Sequence, residues 1–405
     1  MKKIIIFGAG KIGRSFIGQL FNMSGYEVVF IDKNEKLIND LNREKSYKII
    51  IKGKKEDDIL VDNIRGVILS DHQKVFDEMV DTDLWAISVG FIYLPDLLPV
   101  IAGGLSKRYE IKPQNPVDII VAENLRNSAD YVYESLMEHL PAEFPFKAYI
   151  GIIETSIGKM VPTMTEEDLK KDPLLLFAEP YNTLILDKKS FKNPLPKVKG
   201  LDYKSNIKAW VDRKSFLHNL GHAVTAYVGY INNPEFKFIY EVLKEPDLKE
   251  IVRDTMIQSA TAVQKHYPRE FTLKELIRHV DDLLARFSNV HLKDTIYRVG
   301  YDLQRKLSGD DRLAGAIKLA IEHDLPYDQM LYALVCGIYF RGRDENGDVF
   351  RPDVQFFHEY GTDLEKILIK VAGFSPAEHQ DVFRQALLFQ KNIDSMLRLR
   401  EMKIT

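Results

Sequence analysis

KIIIFGAGKIGRSFIGQLF, residues 3–21, decides how this chain is read. KIIIF is a short β-branched apolar run, the pattern of a strand buried on both faces. It leads straight into GAGKIG, after which Phe16, Ile17, Leu20 and Phe21 recur at helical spacing. A strand, a tight glycine turn and a helix in that register suit a bound pyrophosphate. The backbone can approach it closely, and the helix N-terminus meets its negative charge. Gly8, Ala9, Gly10, Lys11, Ile12 and Gly13 are the candidate loop. EVVFID (27–32) reads as a second buried strand ending in Asp32, about 20 residues beyond the last glycine, where an acid meets ribose hydroxyls. A carboxylate there would repel a 2′-phosphate, so NAD is expected over NADP, with Lys33 tempering the preference.

The alternation continues. DLWAISVG (83–90) and VDIIVAEN (117–124) are apolar runs ending in small or polar residues. Helical stretches separate the strands, so a parallel sheet of βαβ units is expected. After about residue 200 the pattern turns to long amphipathic helices: EPDLKEIVRDTMIQSATAVQKH, TLKELIRHVDDLLARF, AGAIKLAIEH and PAEHQDVFRQALLFQKNIDSMLRLRE. KSFKNPLPKVKGLDYK (189–204), with its prolines and a glycine, is the boundary candidate. The expected architecture is an α/β Rossmann-type dinucleotide-binding domain (1–203) followed by an all-α C-terminal substrate domain (204–405). Ligand is expected in the cleft between them.

The 405 residues, 45% hydrophobic and 28% charged, supply ample apolar material for two ordinary globular cores. A formal net charge of -3 gives no global attraction to nucleic acid or to anionic membranes, and neither is expected as a partner. MKKIIIFGAG lacks the sustained apolar region and cleavage site of a signal peptide, and no run of about 18 apolar residues occurs. The single cysteine, Cys336, excludes an internal disulfide and a thiolate cluster. A cytoplasmic protein is expected, with Cys336 as a buried structural thiol in LYALVCGIYF. KKEDD (54–58) and RGRDENGD (341–348) read as solvated loops; Asp344, Asn346 and Asp348 lack the glycine and distal glutamate of a calcium loop.

Chemistry is sought in RKSFLHNLGHAVTAYVGY, residues 213–230. Lys214, Asn219 and His222 sit among residues bound for a core, where polar groups need partners. Alcohol oxidation at a nicotinamide needs a base for the hydroxyl proton and donors for a developing oxyanion. A buried lysine serves as base because desolvation lowers its pKa. An amide and an imidazole supply the donors. On a regular helix Asn219 and His222 are i,i+3 neighbours, whereas Lys214 falls away from them and His218 is its closer companion. His218 and His222 have zinc-clamp spacing. With no carboxylate in the stretch, a metal-free site is expected.

K-x4-N-x2-H, here Lys214, Asn219 and His222, resembles the signature of the polyol-specific long-chain dehydrogenase/reductase family. The likeness extends in chain order over nearly the whole length: FGAGKIGRSFIGQL (7–20), LNREKSY (41–47), AENL (122–125), VDRKSFLHNLGHAVTAYVG (211–229), ARFSNVHLKDTIYRVG (285–300) and RKLSGDDRL (305–313). It implies metal-independent, NAD-linked interconversion of mannitol 1-phosphate and fructose 6-phosphate; either a monomer or a dimer is expected. It implies Lys214 as general base toward the alcohol and general acid toward the ketone. Asn219 and His222 would polarise the oxygen, and Asn124 in AENL would also hold it. One stretch departs from the family. Where V-D-R-I-x-P is usual, this chain reads SIGKMVP, with Gly158 and Lys159 in place of the acid and the arginine, and Glu154 one turn upstream.

A phosphosugar needs cationic, preferably bidentate, recognition. Arg305 and Lys306 are the first candidates, ahead of Arg213, Lys293, Arg298 and Arg341. Within the family, hexuronate (tagaturonate or fructuronate) reduction and free mannitol oxidation are the alternatives. A hydroxyacid dehydrogenase would need a different spacing around the lysine. A silent NAD-responsive binding module would hold NADH without turning over any polyol or ketose.

Overall fold

The structure, a computed structural model, describes residues 2–53, 57–162 and 164–404. Its strands are β1 (Lys3–Phe7), β2 (Glu27–Asp32), β3 (Tyr47–Ile51), β4 (Asp57–Val61), β5 (Ile64–Ile68), β6 (Leu84–Ile87), β7 (Val117–Val121), β8 (Ile150–Ile157), β9 (Leu176–Ala178), β10 (Leu184–Asp187) and β11 (Leu201–Lys204). The main sheet runs β11-β10-β8-β7-β6-β1-β2-β5. From β5 to β8 every pairing is parallel. The order β5-β2-β1-β6-β7-β8 is that of a doubly wound dinucleotide fold, with its switch point between β1 and β6. Beyond β8 the chain reverses: β10 is antiparallel to β8, and β11 pairs parallel with β10.

That edge changes the reading of the stretch expected to be a linker. Residues 201–204 extend the sheet, and the chain divides into compact units Met1–Val211 and Asp212–Thr405.

β1 is buried on both faces. Ile4 and Ile6 join Phe16, Ile17 and Leu20 in one core, while Ile5 and Phe7 join Leu98, Ile101 and Leu105 in the other. Each such side chain contributes about 1.5–3 kcal/mol on full burial. A small sheet, β4-β3-β9, covers the first core with Tyr47, Ile49 and Leu176. Of the run KKEDD, residues 54–56 lie outside the described residues; Asp57 and Asp58 begin β4 rather than continuing a loop.

The second unit is helical. Helix Leu220–Asn232 buries every residue except His222, Tyr230 and Asn232, the mark of a helix packed on all sides. It lies against helices Pro246–His266 and Asp328–Ile338. Pro246 occupies the first turn of its helix, where its missing N–H costs nothing. Helix Leu273–Phe287 starts at a reciprocal cap between Thr272 and Glu275. Among the described residues no helix is long and apolar enough to cross a membrane.

Candidate active site

The glycine loop leaves β1 at the switch point, and its three glycines are required for three different reasons. Gly8 has φ +99° and lies against the Ser88 carbonyl, so both its backbone and its surroundings exclude a side chain. A Cβ at Gly13 would overlap the Gly8 carbonyl oxygen. Gly10 has neither restriction: nothing lies within 4 Å of where its Cβ would stand. Its bareness keeps an open approach to the backbone, which is what a pyrophosphate requires. Lys11 is exposed, Ile12 is half-buried, and Ala9 is buried beneath the loop. Asp32 Oδ2 accepts from Ala9 N at 2.7 Å and Oδ1 from Asn34 N at 2.8 Å. The carboxylate therefore stands at the loop with acceptor capacity left for ribose hydroxyls. Lys33 turns its amine onto the Tyr93 ring, 3.8 Å from the centroid.

At the end of β7, Glu123 Oε1 accepts from Val89 N and Gly90 N at 2.8 and 3.0 Å, tying together the turns after β6 and β7. Burial pushes this carboxyl up to about 7, against those two donors. Asn124, the next residue, is exposed at the strand's C-terminal end. Glu154 is committed elsewhere. It accepts from Ser128 Oγ at 2.8 Å and Ala129 N at 2.6 Å, capping the helix Ser128–His139. Both of its carboxylate oxygens are thus engaged at the start of that helix. Gly158 itself lies against the Tyr181 ring, and the buried Lys159 donates to Asn182 Oδ1 at 3.0 Å.

In the helical unit, Lys214–Asn219 is a π-helical turn between helices Ile207–Arg213 and Leu220–Asn232. This corrects the regular-helix expectation. In a turn closed by i→i+5 bonds, residue 219 rather than 218 completes the turn begun at 214. The inserted residue thus brings the Lys214 and Asn219 positions back toward one face. Lys214 is half-buried by area, but protein packed around its amine removes water and pulls its pKa down to about 7. Arg312 and Arg305 add to the shift, and Asp311 opposes it.

His222 stacks on Phe287, with centroids 4.5 Å apart and planes 19° from parallel. Its Nε2 lies 3.3 Å from Asp294 Oδ2. The two atoms attract without being aligned as a hydrogen bond, and both are buried with no other hydrogen-bond partner among the described residues. Burial lowers the imidazole pKa against the pull of Asp294. Burial alone would raise the Asp294 carboxyl; His222 and Arg298 overcome that and hold it below its usual range. The zinc-clamp spacing of His218 and His222 is met by rings edge to face at 5.8 Å. A carboxylate does reach His222, but from residue 294.

The cationic candidates separate clearly. Arg305 Nε pairs with Asp302 at 2.5 Å and its Nη1 with Asp311 at 3.4 Å, leaving 41% of the side chain exposed. Lys306 turns inward: it is 5% exposed and donates to the Val299 carbonyl at 2.8 Å, with burial holding its pKa well below the usual lysine range. That is not where an incoming phosphate is met. Arg312, buried, binds Asp311 at 2.7 Å and the Asn219 carbonyl at 3.4 Å. Arg298 is paired with Asp294, and Arg341 donates to the carbonyls of Ile338, Phe340 and Gly361. Arg213 faces the Phe271 ring, and Lys293 holds a left-handed backbone, φ +49°. Cys336 is fully buried, its thiol pushed up to about 12.

Residues 2–200 match the model of the mannitol dehydrogenase Rossmann domain, and residues 206–394 match that of the mannitol dehydrogenase C-terminal domain. The chain belongs to the mannitol dehydrogenase family. The Pseudomonas fluorescens mannitol 2-dehydrogenase, solved as a ternary complex with NAD and D-mannitol, shares the fold at 15% identity and a TM-score of 0.77, over 99% of this chain and 94% of that one. A probable 2-dehydropantoate 2-reductase from Bacillus subtilis matches at 11% identity and a TM-score of 0.46, over 82% and 97%; it is too distant to carry argument. The family member described here is an NAD-dependent polyol dehydrogenase. The loop's geometry is compatible with such a cofactor: the backbone at Gly10 is open to approach, and the Asp32 carboxylate is held against the loop at Ala9 N.

Asp294, Arg312 and Glu123 were not singled out from sequence. All three lie in stretches the sequence marks out, but the meeting of Asp294 with His222 and of Arg312 with Asn219 joins residues far apart in the chain.

Proposed function

We propose that this enzyme interconverts mannitol 1-phosphate and fructose 6-phosphate, with Lys214 as the acid/base. Bound NAD supplies the hydride acceptor, and its reduced form the donor. In oxidation Lys214 takes the hydroxyl proton as hydride leaves the carbinol carbon. In reduction it returns that proton, while Asn219 donates to the oxygen as negative charge grows on it. An amine near its titration midpoint at neutral pH performs both tasks without a large energetic mismatch. His222 and Asp294 are proposed to bind one substrate hydroxyl together, the hydroxyl donating to Asp294 and accepting from the imidazole. That contact satisfies both buried atoms. Asn124 is assigned as a further donor to the reacting oxygen. Removing one such donor costs about 10²–10³ in kcat.

The observation that supports the reading best is the setting of Lys214: a desolvated amine whose pKa is lowered further by Arg312 and Arg305. Those arginines are the proposed source of attraction for a sugar phosphate, with Arg305 partly open to it. The test is turnover of fructose 6-phosphate, fructose, tagaturonate and fructuronate with NADH. The proposal expects kcat/KM for fructose 6-phosphate to exceed the others by at least about tenfold, the arithmetic of one charge-assisted contact. A preference for fructose or for a hexuronate would replace it with the free-polyol or uronate reading. Lys214→Ala should lose more than about 10²-fold in kcat while binding NADH normally.

A further inference from the structure

We propose that His266, Glu322 and His323 form a binding site for one divalent transition metal ion of the zinc, nickel or copper type. Each offers one ligand atom, and the three atoms lie within 4.8 Å of one another. His266 Nδ1 is 3.0 Å from His323 Nε2 and 3.6 Å from Glu322 Oε1. Ligands on a tetrahedral ion with bonds of about 2.1 Å stand ~3.4 Å apart, so the two separations straddle the required value. Small side-chain rotations suffice to bring all three onto one ion, with a fourth position open to water.

The setting favours a cation independently of that spacing. His266 is the last residue of helix Pro246–His266, and Glu322 the last of helix Ala314–Glu322. Each C-terminus carries a negative partial charge of about half a unit. Glu322 adds a full negative charge and, at 59% exposure, leaves a route from solvent. The backbone around the ligands is fixed: His323 N donates to the Ala320 carbonyl at 3.1 Å, and Tyr267 N to the Val263 carbonyl at 2.9 Å. Two imidazoles with one carboxylate select borderline ions over magnesium or calcium, which prefer all-oxygen shells. A bound ion would clip two helix ends together. In its absence one imidazole N–H donates a hydrogen bond to the other ring's nitrogen across the 3.0 Å contact.

The test uses the full chain, stripped of metal with a chelator and titrated with Zn²⁺ against a chromophoric competitor. The expected result is one saturable site that Mg²⁺ does not displace, with affinity reduced at least about tenfold in His323→Ala and in His266→Ala. The exposed His358→Ala should leave it unchanged, and NADH binding by each variant checks folding. Undiminished affinity in both site variants, or no saturable uptake by the unmodified chain, overturns the proposal. Should a variant fail to fold, Co²⁺ on the unmodified chain decides. Intense visible bands of a four-coordinate ion support the site, and the weak spectrum of a six-coordinate ion refutes it.

Discussion

A lysine that titrates at about 7 divides its population at neutral pH between a base and an acid, which sets opposite pH profiles for the two reaction directions. Polyol oxidation needs the free amine, so kcat/KM should rise with pH through about 7 and level off above it. Ketose reduction needs the ammonium and should fall across the same range. Initial rates from pH 5.5 to 9 in both directions check this; parallel profiles would count against Lys214 as the shared group. Stability follows from the same displacement. The folded pKa lies below the ordinary 10.5, so between the two values the unfolded chain binds more protons and stability rises with pH. Lys214→Met should therefore raise the Tm most at pH 7 and below. The gain should fade as pH rises toward 10.5 and vanish above it, where the wild-type amine is neutral in both states. Scanning calorimetry at three pH values reads it. Asp294→Asn keeps the shape and removes the charge beside His222. If the two bind a substrate hydroxyl, KM for the ketose should rise by about tenfold or more, since a buried polar group loses its matched partner. NADH affinity should stay unchanged.

At the scale of the element, the glycine loop separates packing from ligand approach. Gly13→Ala drives a methyl into the Gly8 carbonyl, and loss of folded protein or several degrees of Tm is expected. Gly10→Ala meets no protein atom, so its stability should stay within about 0.5 kcal/mol of wild type. Its NADH affinity, read by fluorescence titration, should nevertheless drop tenfold or more. If Gly10→Ala binds NADH normally, the pyrophosphate does not pass where the loop is open. Both this loop and Asp32 were legible in sequence, because a strand, a turn and a helix each leave a local signature within a few residues. The π-helical turn at Lys214–Asn219 was not. Residue spacing is read at 3.6 per turn, and nothing in KSFLHN marks one extra residue. β11 escaped for a related reason: two prolines and a glycine in 189–204 signal a break in regular structure, but the sheet edge resumes at Leu201.

Across the whole molecule, the alternation of strands and helices followed by helices alone carried the two-part architecture, since periodicity is a property of each segment. The contacts that shape the site are long-range pairings, Asp294 with His222 and Arg312 with Asn219, and periodicity is blind to them. On the proposed reading they bear on how a phosphosugar would be drawn in. The chain carries a formal charge of -3, so a phosphosugar dianion would gain nothing from the overall field, and on the proposed reading its attraction would come from the arginines around Lys214. An attraction that local acts within a Debye length, about 10 Å at 0.1 M salt and longer when dilute. Raising ionic strength from 20 to 300 mM should lower kcat/KM for fructose 6-phosphate several-fold, while turnover of uncharged fructose, where measurable, should hardly change. Arg305→Ala should raise KM for the phosphosugar and flatten that salt dependence, because the more open of the two arginines beside Lys214 is gone. A steep slope surviving in Arg305→Ala would move the phosphate to another cation, with Arg312 next to be tested.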